Sequence, residues 1–158
     1  MRFSKRRCGL DWRLWAYDGA LVDRRDLQNL SRIRLREARA LLRVGMSDGA
    51  YYLTGYAVEC ALKACIAKAT LRHEFPDKKR VDSSYSHNLD LLVRLAGLED
   101  FRLNYFGRSP EFQKNWATVQ LWSEESRYQR HSSEAAATLV GAVGDRRNGV
   151  ISWIKVYW

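Results

Sequence analysis

Apolar residues recur along this chain at intervals of three and four, and no alternating run of β-branched residues stands between turns. That periodicity predicts helices packed by one face and leaves strands without a signal. "DLQNLSRIRLREARALLRVG" sets Leu27, Leu30, Leu35, Ala38, Leu41 and Leu42 on one side, with Arg and Glu opposite. It predicts a first amphipathic helix that Gly45 closes. Asp48 is placed to cap a second helix reaching about Thr70, and the short link predicts an antiparallel hairpin. Residues 71–85 read as a polar loop. Ser86 can cap a third helix, "HNLDLLVRLAGL", closed near Gly97. Ser109-Pro110 opens a fourth, because proline is tolerated at the first helical position, and it should stop near Ser123. Ser132 or Ser133 caps the last helix, and Gly144 and Gly149 predict a kink or break in its continuation. The predicted fold class is all-α, an antiparallel bundle of four main helices plus a short helix.

The second helix raises a question of charge. From Gly49 to Thr70 only Glu59, Lys63 and Lys68 are charged. Tyr52, Tyr56, Glu59 and Lys63 follow one another at spacings of 4, 3 and 4, which makes one stripe about three turns long. Burying an ion costs several kcal/mol of hydration, so stability alone is a poor reason to keep this pair. In a structural reading, Lys63 reaches the rim and Glu59 accepts hydrogen bonds from another helix. In a functional reading, a polar pocket lies between helices, where Lys63 meets a phosphate and Glu59 orients an arginine.

Composition refines this picture. The chain has 158 residues, enough for one domain with a core of its own. Residues 1–25 hold seven Lys/Arg against three acids and predict a flexible basic tail. The predicted helical domain, 26–158, holds twenty against fifteen, so only +5 of the net +9 is spread over it. Such a balance fits RNA as a partner. Arg32, Arg36, Arg39 and Arg43 lie on the polar side of the first helix, a solvated face that could also touch RNA phosphates. No run of about 18 apolar residues predicts a membrane span, and the basic start lacks an apolar stretch of signal-peptide length. A cytoplasmic protein without a membrane partner is expected. Cys8, Cys60 and Cys65 read as reduced thiols, since Cys60 and Cys65 diverge on one helix. No metal-ligand cluster, glycine-rich phosphate loop or nucleophile–base arrangement predicts a cofactor or a metal.

"EARALLRVGMSDGAYYLTGYAVECALKACIAK", then "YSHNLDLLVRLAG" and "SRYQRH", in that order and at these separations, resembles the HEPN domain (higher eukaryotes and prokaryotes nucleotide-binding), in its bacterial single-domain type. The resemblance runs from about Leu27 to Trp158. It implies a helical bundle that dimerises and either cleaves RNA as a toxin or binds a nucleotide, often beside a nucleotidyltransferase antitoxin. The ribonuclease branch uses an Arg followed, after four to six residues, by a His in the last helix. Here the last helix offers Arg147-Asn148, and Ser152, Trp153 and Ile154 stand where the His should follow. Arg127 and His131 have three residues between them, one short of the motif, and Arg80 and His87 fall in a loop and a helix start. The expectation is therefore a non-catalytic, dimeric module that binds a nucleotide, RNA or a partner protein. Its implied ligand-binding residues are Glu59, Lys63, His87, Arg127 and Tyr128; Tyr128 and Tyr56 are also candidates for a face on which a base stacks. The alternative is a ribonuclease toxin with a degenerate pair, Arg127 and His131.

Overall fold

The structure, a computed structural model, describes residues 22–70 and 77–158. These form eight α-helices and no strand: α1 Arg24–Arg43, α2 Ser47–Ala69, α3 Lys78–Ser84, α4 Leu89–Leu95, α5 Glu99–Phe106, α6 Pro110–Val119, α7 Ser133–Gly144 and α8 Val150–Ile154, with a 3-10 turn at Glu124–Tyr128. The all-α class is as predicted, with more and shorter helices than the expected four and one. The basic tail and Cys8 lie outside the described residues, apart from 22–25.

Local chemistry sets most boundaries. Asp23 opens α1 with a reciprocal capping box: its carboxylate accepts from the Asp26 amide at 2.8 Å, and the Asp26 carboxylate accepts from the Asp23 amide at 3.0 Å. Gly45 and Gly97 end α1 and α4 at φ of +78° and +71°, a backbone region that favours glycine. Ser109 caps α6, with Pro110 at its first position, and Ser132 caps α7.

Several boundaries differ from expectation. Part of the expected polar loop is helical, because the Asp77 side chain caps α3 through the Lys79 amide. Asn88 caps α4 in place of Ser86, whose hydroxyl instead accepts from the Asn88 amide. Asp48 lies within the first turn of α2 rather than before it, and its carboxylate serves a distant strap of chain described below. α5 has no sequence prediction behind it. α6 ends at Val119, four residues before the expected stop at Ser123. The break after Gly144 is real, and α8 starts only at Val150.

α2 is the axis of the core. Ala57, Val58, Ala61, Leu62 and Ala64 are fully buried on it, because α1 covers one side and α4, α7, α8 and the 3-10 turn cover the others. An aromatic cluster fills the far side of the core. Phe112 lies 5.2 Å from Trp153 between ring centroids, and Trp116 meets Trp153 edge-on at 6.1 Å. Gly55 admits Trp122 to the α2 backbone: a Cβ built there would fall inside the indole.

Candidate functional site

Glu59 points from the middle of α2 into the protein and is 2% exposed. Both carboxylate oxygens are occupied. Lys63, one turn on, donates from Nζ to Oε1 at 2.9 Å, and Oε2 stands 2.9 Å from Nδ1 of His87. His87 is brought there by the turn that precedes α4, where Ser86 and Asn88 fix the backbone. A carboxylate can only accept, so Nδ1 of His87 carries a proton. That assigns the tautomer: in the neutral ring the remaining nitrogen, Nε2, is an acceptor, and in the charged ring it is a donor. The His87 side chain is 43% exposed.

His87 opens onto a polar cavity of about 330 Å³ between the start of α4 and the end of α6, lined also by Asp90, Gln120, Ser123 and Glu124. Asp90 is itself held in place. Gln120 donates to both its oxygens at 3.0 and 3.2 Å, and Arg102 pairs with it from α5. Burial opposes its ionisation, but the bonds from Arg102 and Gln120 outweigh burial and hold its pKa below the ordinary value. The cavity therefore presents carboxylate acceptors and one imidazole nitrogen. That combination suits the donor-bearing parts of a ligand, such as ring N–H, amino or hydroxyl groups, better than a phosphate.

Lys63 opens elsewhere. It lines a separate cavity of about 270 Å³ with Leu27, Ile66, Thr70 and Tyr85. The structure thus joins Glu59, Lys63 and His87 in one network, and the carboxylate separates the outlets of Lys63 and His87. Arg127 is not a partner of Glu59. It is exposed on the 3-10 turn, with its guanidinium carbon 4.9 Å from the ring centroid of Tyr128, which is 76% exposed. Tyr56 stacks on Tyr52 at 6.2 Å rather than facing the His87 cavity.

His131 belongs to another arrangement. Its amide donates to Asp48 at 2.6 Å, Arg130 reaches the same carboxylate at 3.3 Å, and its ring stacks flat on Tyr51 at 3.8 Å. Arg127 and His131 make no hydrogen bond to each other among the described residues. In the last helical region Asn148 is structural, since Ser109 and Asn115 bond its side chain and carbonyl at 3.0 Å each.

Sequence reading reached Glu59, Lys63 and His87 but missed Asp90, Gln120 and Glu124. Asp90 had a signal, since it lies three residues after His87 in the first turn of a helix. Gln120 and Glu124 had none, because their position depends on how α6 docks. Comparison with protein-family models, curated proteins and solved structures returns no match for this chain.

Proposed function

We propose that this chain is a non-catalytic, dimeric helical module of the HEPN type that binds a nucleotide or RNA, working beside a partner such as a nucleotidyltransferase in a toxin–antitoxin pair. One observation carries the reading: a buried carboxylate fixes His87 at the edge of a polar cavity through a single tautomer. A buried ion pair adds little net stability, whereas a fixed imidazole facing Asp90 and Glu124 is suited to reading hydrogen-bond donors. Nucleobases and ribose carry such donors. The resemblance of the "GYAVECALK" and "SHNL" segments supports the same reading.

The test is thermal melting across a panel of nucleotides and a short RNA. A ligand that binds only the folded state, at a hundred times its Kd, adds about 2.7 kcal/mol of stability. The expected result is a shift with at least one base, lost in His87→Ala and reduced in Lys63→Ala, which loosens the carboxylate that aims His87. If no ligand shifts the melt, nucleotide binding is rejected and the partner protein becomes the function.

A further inference from the structure

On another face, α1 and the α7–α8 segment enclose a groove of about 490 Å³. Leu35 and Val143 contribute to its apolar lining, and Arg39, Arg146, Lys155 and Ser152 supply the polar groups. Among the described residues no carboxylate lines it. Arg39 is held in position, donating to the Gly144 carbonyl at 2.8 Å, and a Cβ at Gly144 would displace its guanidinium. Trp158 extends the cationic surface: the Arg32 guanidinium carbon lies 5.0 Å and the Lys155 ammonium 5.8 Å from its ring centroid.

The one acid within the lining segment of 143–155, Asp145, accepts from the Arg147 and Asn148 amides, so it offsets the groove's cations only in part. Arg34, a few residues away, pairs with Glu37 at 2.6 Å, but among the described residues Arg39, Arg146 and Lys155 have no carboxylate in ion-pair contact. The cations also form a track rather than a point. Arg32, Arg36, Arg39 and Arg43 are all exposed on α1 at spacings of 4, 3 and 4, which covers about 16 Å of helix. A single phosphate would use one or two of them. A chain of phosphates would use the series, with release of the counterions that otherwise neutralise it. We propose that this groove binds the phosphate backbone of single-stranded nucleic acid. The groove shares no lining residue with the His87 cavity; it rests on the reading of RNA as a ligand and deepens it, and melts with mononucleotides test the cavity while the oligomer titration tests the groove.

The experiment is fluorescence anisotropy of a labelled oligouridylate with the full chain, titrated at several salt concentrations. Arg39→Glu with Lys155→Glu should weaken binding by at least about tenfold and flatten the log–log salt slope by about 1.4, the effect of two lost phosphate contacts. Gly144→Ala keeps every charge but displaces the Arg39 guanidinium, so a weaker loss in the same direction is expected. Parental affinity and slope in the charge-reversed variant would overturn the proposal. Competition by uridine monophosphate as strong as that of the oligomer would also overturn it, by showing a point site. Equal binding of a blunt duplex would reject single-strand recognition.

Discussion

Cys60 and Cys65 show how strongly position outweighs residue type. Both thiols are free, and burial pushes each up to about 11. For Cys60 the Glu59 carboxylate beside it adds to the effect. A thiol with that pKa is about a thousandth thiolate at pH 8, and the thiolate is the reactive form. In a Cys8→Ser variant, native protein should therefore react with a thiol reagent far more slowly than protein in denaturant. Fast native labelling of both cysteines would contradict their burial. Glu59, the neighbour on the same helix, keeps a carboxylate in place because Lys63 and His87 satisfy both oxygens. The charge of Glu59 and its spacing to Lys63 were legible in the sequence. Its second partner was not, since His87 lies 28 residues away and arrives through a turn.

The helices with strong local signals appear where the sequence puts them, and those without such signals were missed. α1 carries an apolar stripe and a glycine stop, and α6 has a serine cap with proline behind it. Each was readable within two residues of its start. α5 has no side-chain cap, and its one buried residue is Arg102. Its helix is sustained by tertiary contacts that no local pattern encodes: Arg102 lies 4.8 Å from the Trp116 ring centroid and pairs with Asp90. α2 shows the opposite limit. It is apolar almost all round, so periodicity could not say which face meets which neighbour. Gly55 decides one of them by letting Trp122 sit against the backbone. Gly55→Ala should cost about 1–3 kcal/mol, the range for overpacking in a filled core, because a buried indole cannot swing away. The shift in urea midpoint measures it, and an unchanged midpoint would mean that the indole has room to move.

Across the whole molecule, α4, α5 and the end of α6 are joined by polar contacts centred on Asp90. Its pKa is depressed in the folded state, so its contribution is complete above the ordinary carboxylate value near 4 and is lost as pH falls through the lower folded value. Melting temperature should drop with acid in that window, and Asp90→Asn should flatten the drop. An identical acid profile in the variant would show that Asp90 contributes nothing to it. No helix among the described residues is long and apolar enough to cross a membrane, and the exposed arginines of α1 face outward. One consequence reaches beyond any single molecule. Gly55 and Trp122 come from segments 67 positions apart, yet each has a shape that only the other accommodates. A side chain at 55 demands a smaller ring at 122, and a lost ring at 122 leaves a void over 55. Over generations neither position can drift alone, and a homologue that has changed one should be found to have changed the other.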